Sequence, residues 1–241
     1  TMHDIQYDAL HDEFLVTNPF AQAILTFRGG ADGEEAPIRI IQGPNTQLGG
    51  SSRLAVDPVN NEIFVPGGGQ VLIYPREANG DVAPIRILGG PDSKLQNIGG
   101  LVVDTVHNLL IAGTQFRGEG SSMGSLVIFD RTAEGNARPK AVITGPSTGL
   151  VRALQLRVYP PKGWIIVAQA GRGDMLEPED TFIGVWSIND NGDVPPRWKI
   201  GGPQSTLKKP RGLAIDPKHK EIIVSDMRLN SVLVYYFPEI F

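Results

Sequence analysis

The sequence predicts an all-β propeller of four-stranded antiparallel blades, and three observations carry that prediction. The first is a pattern clearest over 213–224, Leu-Ala-Ile-Asp-Pro-Lys-His-Lys-Glu-Ile-Ile-Val, which recurs over 5–16, 54–65, 101–112 and 156–167. In each copy a short apolar strand meets a tight turn and then a second strand with consecutive apolar positions, and strands joined so closely are antiparallel neighbours. The second observation is an independent motif, Ala36-Pro37-Ile38-Arg39-Ile40-Ile41-Gln42-Gly43-Pro44, which returns over 83–91 and more loosely over 138–146 and 195–203. Its Gly-Pro pairs begin at 43, 90, 145 and 202, and these spacings of 47, 55 and 57 residues are also those of the first motif from Leu54 onward. Two markers that drift together define one repeating unit with insertions, and a period near 50 residues points to a propeller or array. The third observation is composition: Gly 29 and Pro 19 in 241 residues suit many short strands and turns.

No window shows the 3.6-residue apolar spacing of an amphipathic helix, and no apolar run approaches the roughly 20 residues of a membrane helix. The net charge of −4 comes from 22 basic and 26 acidic residues. They are mixed along the chain, so no basic stripe marks it for nucleic acid or an anionic membrane. The absence of cysteine excludes disulfides, thiolate metal sites and cysteine nucleophiles without fixing a compartment. Thr1-Met2-His3-Asp4 has neither the basic start nor the apolar core of a signal peptide.

Taken in order, the first repeat places strands over 5–7, 13–16, 23–27 and 37–42, running from inner to outer. The second places them over 54–56, 62–65, 70–74 and 84–88. Its turn before the outer strand contains Asn79-Gly80-Asp81, which supplies the positive-φ geometry of a tight reversal and reappears as Gly135-Asn136 and Asn191-Gly192-Asp193. The third repeat gives 101–103, 109–112, 125–129 and 141–144, with an insertion over 115–124. The fourth gives 156–158, 164–168, 182–188 and 197–200, with an insertion over 171–180. The fifth gives 212–215, 221–225 and 231–237 and shows no outer strand. Blade repeats therefore span approximately 3–48, 49–95, 96–150, 151–207 and 208–241, in one domain. Both faces of a blade pack on its neighbours, which is why strands such as Ile222-Ile223-Val224 are continuously apolar.

Val224-Ser225-Asp226, a three-residue gap and Asn230-Ser231-Val232-Leu233-Val234, preceded by Lys209-Pro210-Arg211-Gly212-Leu213-Ala214-Ile215-Asp216, resembles the NHL-type repeat of bacterial and animal propellers. The resemblance covers all five copies and is most specific in the last. Where that copy has Asp226, the others have Asn18, Gly67, Thr114 and Gln169. Such families usually build six blades, whereas five are visible in these repeats, the last lacking its outer strand; the resemblance implies six if an upstream segment is missing. It also implies export, to the periplasm or outside the cell.

Because strands alternate in direction, loops joining second to third strands emerge on the same face as the connections from each outer strand to the next inner strand. Both insertions therefore crown one face, and loops on a rigid scaffold are the usual place for recognition. Arg117, Arg172 and Asp174 lie in the insertions, Arg53, Arg152 and Arg211 in the connections, and Asp226 at the end of a second strand; these are the expected ligand-binding residues. The expected function is a non-catalytic module that engages a protein or a carbohydrate through this face.

The signs of chemistry are weaker. His11, His107 and His219 align with the first turn of three separate blades, on the opposite face, so they do not converge on a metal. No Gly-x-Ser-x-Gly elbow stands between a strand and a helix. Gly171-Arg172-Gly173-Asp174 and Pro66-Gly67-Gly68-Gly69 lead into no helix that would bind phosphate. Glu34-Glu35 and the acids of 177–180 are candidate oxygen ligands for calcium but lack regular spacing; no cofactor is expected. Trp164, Trp186 and Trp198 are assigned to packing. The enzyme alternative is a metal-dependent propeller lyase or lactone hydrolase with a central-channel site, for which the inner strands offer chiefly Gln6, Gln155 and Arg157, a poor set for a dication. A third reading is an assembly protein whose unfinished fifth blade self-associates or joins another chain by strand addition.

Overall fold

The computed structural model describes residues 3–118, 121–171 and 180–241, with the side chains of 116–122 outside the description. The fold is that of an all-β propeller with five antiparallel blades. Blade 1 comprises β1 (Ile5–Asp8), β2 (Glu13–Asn18), β3 (Ala23–Arg28) and β4 (Arg39–Ile41), and blade 2 comprises β5 (Ala55–Asp57), β6 (Glu62–Gly67), β7 (Gln70–Pro75) and β8 (Arg86–Gly89). Blade 3 is β9 (Gly100–Asp104), β10 (Leu109–Gly118), β11 (Ser121–Asp130) and β12 (Ala141–Thr144). Blade 4 is β13 (Ala153–Tyr159), β14 (Trp164–Ala170), β15 (Thr181–Ser187) and β16 (Trp198–Gly201). Blade 5 has three strands, β17 (Pro210–Asp216), β18 (Glu221–Asp226) and β19 (Ser231–Tyr236). No helix among the described residues is long and apolar enough to cross a membrane.

The insertion over 115–124 differs from expectation. It is an extension of two strands: β10 and β11 pair without interruption from Leu109↔Asp130 to Gly118↔Ser121. Once the two flanking strands are in register, each added residue gains a ladder hydrogen bond, so a hairpin satisfies the backbone better than an open loop.

Two compact units are formed. One comprises Thr1–Gln96 with Arg131–Arg138, the other Asn97–Asp130 with Pro139–Phe241. In the first, Leu15, Ile24 and Ile41 of blade 1 pack with Ile63, Leu72 and Tyr74 of blade 2. In the second, Ile165 and Val167 face Ile111, Leu126 and Ile143 of blade 3, while Ile166 and Ala168 of the same strand join Leu213, Ile222 and Val224 of blade 5. Blade 4 thus buries both faces, as its unbroken apolar strands require. Trp164 and Trp198 meet edge to face at 5.2 Å, and Trp186 is fully buried with Nε1 donating to the Val194 carbonyl at 3.1 Å.

A polar device recurs at the first turn of four blades. Val59 N and Asn60 N donate to Asp57 Oδ1 at 3.0 and 2.9 Å, and Asp8, Asp104 and Asp216 do the same for their turns. Asp compensates the turn amides locally. In three of these turns a histidine completes the motif, with Nδ1 from 2.6 to 2.8 Å from the second carboxylate oxygen. The histidines are structural partners of their own turns.

Blade-to-blade register is fixed by a second device. Gly80 pairs in parallel with Ile41, Gly135 with Leu88 and Gly192 with Ile143, each bridging the turn of one blade to the outer strand of the blade before it. The next polar residue caps the single 3-10 turn after that strand: Asp81 Oδ1 accepts from Asn45 N at 2.7 Å, Asn136 Oδ1 from Asp92 N at 2.8 Å, and Asp193 Oδ1 from Ser147 N at 2.8 Å. This clamp explains the Gly-Pro pairs. A Cβ on Gly43, Gly90 or Gly145 would lie within about 2.5 Å of the capping side chain, and all three have φ between 124° and 134°. Proline then begins the turn, where its missing N–H costs nothing.

The third device is electrostatic. Glu13 of blade 1 accepts from Arg39 on its own outer strand and, at 2.6 Å, from Arg76 at the end of β7. Glu62 repeats this with Arg86 at 2.5 Å and with Arg131. The pairs are largely buried, so each carboxylate offsets cations that would otherwise be desolvated without compensation.

Replacing Glu62 by Ala is expected to destabilise the chain by about 3 kcal/mol, because two shielded guanidinium groups lose their shared acid; urea unfolding measures it. Gly145→Ala is expected to cost about 3 kcal/mol, combining positive φ with a collision against Asp193, and Gly202→Ala only about 1 kcal/mol, since nothing lies within 4 Å of its Cβ. The exposed His219 imidazole is held above its ordinary pKa, first by its hydrogen bond to Asp216 and then by that residue's charge. Its small stabilising contribution is therefore full below the unfolded histidine pKa and lost as pH rises through the folded one. An NMR titration should show the raised midpoint, and Asp216→Asn should bring it back down.

Candidate functional site

The loop-rich side of the second unit is organised by the hairpin of β10 and β11. At its root, Gly124 N donates to the Leu150 carbonyl at 2.8 Å and Gly99 N to the Gly113 carbonyl at 2.8 Å. Both glycines permit close backbone approach. A Cβ on Gly124 would stand 2.9 Å from Val151 backbone atoms, and one on Gly113 would stand 2.8 Å from the Ala153 Cβ. Further out, Asn97 Nδ2 donates to the Gln115 carbonyl at 3.1 Å. A two-stranded ribbon is a weak element by itself; here its base is fastened to the connections on both sides of blade 3.

That fastening leads directly to Arg152. Its backbone N–H donates to Gln169 Oε1 at 2.9 Å and its carbonyl accepts from Ala170 N at 3.2 Å. Gln169 is fully buried, and its Nε2 has no hydrogen-bond partner among the described residues. It occupies in blade 4 the place that Asp226 takes in blade 5. The sequence comparison of the repeats aligned these two positions but gave no reason to single out Gln169, because its use depends on which connection passes above it.

Asp226 has a defined task. Oδ2 accepts from Lys208 N and Lys209 N, both at 2.8 Å, and Oδ1 from Arg228 N and Leu229 N at 3.0 and 3.1 Å. The residue is 2% exposed. Its charge is taken up by four backbone donors, which hold the entry to β17 against the β18–β19 turn. Arg211 lies in β17 at a register irregularity between Pro210 and Gly212 and is half-buried.

Arg117 stands on β10 opposite Ser122, one pair from the end of the hairpin. Arg172 and Asp174 lie outside the described residues. Arg53 belongs to the first unit, on the connection between blades 1 and 2; burial lowers the pKa of its guanidinium and the charge of Asp4 opposes that shift. The second unit therefore brings together the hairpin, Arg152 and Gln169, with Arg211 and Asp226 on the next blade. Among the described residues no group of three His, Cys, Asp or Glu side chains gathers to hold a metal ion. Glu35, one of the calcium candidates, is engaged by Arg28 through paired contacts of 2.5 Å. On the inner strand of blade 4, Arg157 Nη1 donates to the Leu156 carbonyl at 2.8 Å.

No protein-family model matches the chain, and no curated protein matches it. Among solved structures it is similar to the WD40 β-propeller domain of Doa1, with 14% identity and a TM-score of 0.59 over 100% of this chain and 70% of that one. It is also similar to a chain in a nidogen/laminin complex, with 14% identity and a TM-score of 0.61 over 98% of this chain and 80% of that one. At this identity the likeness establishes the β-propeller fold and nothing about individual side chains.

Proposed function

We propose that the chain is a non-catalytic binding module that engages a protein partner through the loop-rich side of its second unit. The observation that carries this reading is the β10–β11 hairpin. It extends the second and third strands of one blade to ten residues each, and its base is locked by hydrogen bonds and glycine contacts. A projecting element that is already ordered loses little conformational freedom on binding, which favours recognition. Met123 gives it an exposed apolar contact, and the half-buried Arg211 on the next blade is of a residue type suited to carboxylates. The complementary partner surface is acidic with an apolar centre.

The fold has a precedent in this use, since one similar structure is described as a nidogen/laminin complex. The sequence likeness to NHL-type repeats in blade 5 supports placing the chain among exported propellers of that kind, and cell fractionation tests the location.

A photo-crosslinking residue at Met123 is expected to yield a discrete protein adduct. The same residue at Val106, an exposed position in the first turn of the same blade, is expected to yield none. Arg211→Glu should reduce the Met123 adduct on the order of tenfold through charge reversal at the contact. Absence of an adduct at Met123, or the same adducts from both positions, would overturn the proposal.

A further inference from the structure

Two of the three clamps between blades are built on the dipeptide in which asparagine most readily loses its side-chain amide. Asparagine is followed by glycine only at Asn79-Gly80 and Asn191-Gly192, and both pairs lie in the turn that grips the preceding blade's outer strand. Glycine serves there because φ is 83° at Gly80 and 80° at Gly192, a region that strains any residue with a Cβ. The asparagine has a use of its own. Asn79 Oδ1 accepts from Ile40 N and Asn191 Oδ1 from Val142 N, both at 2.9 Å.

In each clamp a single residue of the gripped strand holds both groups that would have to react. Gly80 N donates to the Ile40 carbonyl at 2.6 Å while Ile40 N donates to Asn79; Gly192 N donates to the Val142 carbonyl at 2.8 Å while Val142 N donates to Asn191. Deamidation needs these groups turned onto each other. The glycine nitrogen gives up its proton to hydroxide and bonds to the asparagine Cγ, then the Cγ–Nδ2 bond breaks and ammonia leaves with a proton from water. The resulting succinimide adds water and opens at either carbonyl, to aspartate or to isoaspartate. With the glycine N–H committed to one carbonyl and the asparagine Oδ1 to the amide of that same residue, ring closure waits until the clamp opens. Asn79 and Asn191 are exposed, so hydroxide and water reach them as soon as it does.

We infer that Asn79 and Asn191 are modification sites, deamidated only when their clamps open, so that each converted residue records an opening that is not reversed. The isoaspartyl product cannot rebuild the contact. It inserts a methylene into the main chain just before the glycine. At residue 79 this moves Gly80 away from Ile40 and from Gln42, whose N–H donates to the Gly80 carbonyl at 3.2 Å. At residue 191 it moves Gly192 away from Val142 and from Thr144, whose N–H donates to the Gly192 carbonyl at 3.0 Å. Each conversion also adds a negative charge two residues before the capping Asp81 or Asp193. The remaining clamp is inert by the same chemistry: Gly135 is preceded by Glu134, whose ionised carboxylate an amide nitrogen does not attack, and Asn136 is followed by Ala137, whose Cβ hinders approach. Modification therefore loosens the outer strands of blades 1 and 3 and spares that of blade 2.

The test uses the full chain, kept folded at mildly alkaline pH, with synthetic peptides of residues 75–84 and 187–196 as unprotected references. Peptide mapping, with isoaspartate counted by enzymatic methylation, follows each site separately. Both asparagines are expected to react at least about tenfold more slowly in the folded chain than in the peptides, because two hydrogen bonds must open first, and at the peptide rate in urea. Gly145→Ala places a Cβ against Asp193, 46 residues from the reacting dipeptide, so it leaves the intrinsic chemistry of Asn191 unchanged. It should speed Asn191 at least about fivefold and leave Asn79 within about twofold, and Gly43→Ala, which presses on Asp81, should do the reverse. Should either variant fail to fold, hydrogen exchange on the unaltered chain decides: protection of the Gly80 and Gly192 amides should match the slowing at Asn79 and Asn191 within about threefold. Reaction at the peptide rate in the folded chain, slowing that urea does not remove, equal acceleration of both sites by one variant, or exchange protection unrelated to the slowing would each overturn the inference.

Discussion

The contact on which the structure of each unit depends is the grip of one blade's turn on the outer strand of the blade before it. A four-stranded blade of short strands is marginal by itself, and its outer strand is the part with fewest partners. Here that strand receives two backbone hydrogen bonds from a glycine of the next turn. Gly80 N donates to the Ile40 carbonyl at 2.6 Å and the Gly80 carbonyl accepts from Gln42 N at 3.2 Å. The adjacent Asp or Asn then caps the short helical turn that carries the chain inward. Because the donor and acceptor groups come from different repeats, a blade is completed by its successor, and the Gly-Pro and Asn-Gly-Asp elements are two halves of one joint.

Around that joint the interior divides its labour by polarity. Apolar residues on the meeting faces supply the non-directional burial that drives association of the blades. The Glu13 and Glu62 ion clusters and the Asp-capped turns supply direction. Such groups contribute little net stability when compared with a hydrophobic replacement, yet they penalise any shift that would leave a charge buried alone. Register between blades is thereby set by polar groups, while cohesion comes from Ile, Leu and Val. The same scaffold lets the β10–β11 hairpin project without becoming loose, since its root is held by the joint and the connections beside it.

The candidate site was only partly legible in the repeats. Arg152 and Arg211 could be located because connections between blades follow from the repeat length. The hairpin was read as a loop, since Gln115, Arg117, Gly118 and the residues that follow them lack a strand-like apolar pattern. The pairing of such a ribbon is dictated by the strands at its base. Asp226 is the one acid in its column of the repeats, and its task is set by the four backbone amides it accepts from. Gln169 carries no such mark in the sequence, because its burial depends on the connection that passes above it.

The sequence by itself determined the number of visible blades, the order of their strands and most strand bounds to within two residues. These follow from local apolar runs and turn residues repeated at matching spacings, which need no knowledge of distant partners. Only the tertiary structure decided why the Gly-Pro pairs are glycine and which acids hold arginines. Each of those depends on side chains tens of residues away, brought into contact by blade packing, and no local pattern encodes a contact whose other half lies in the next repeat.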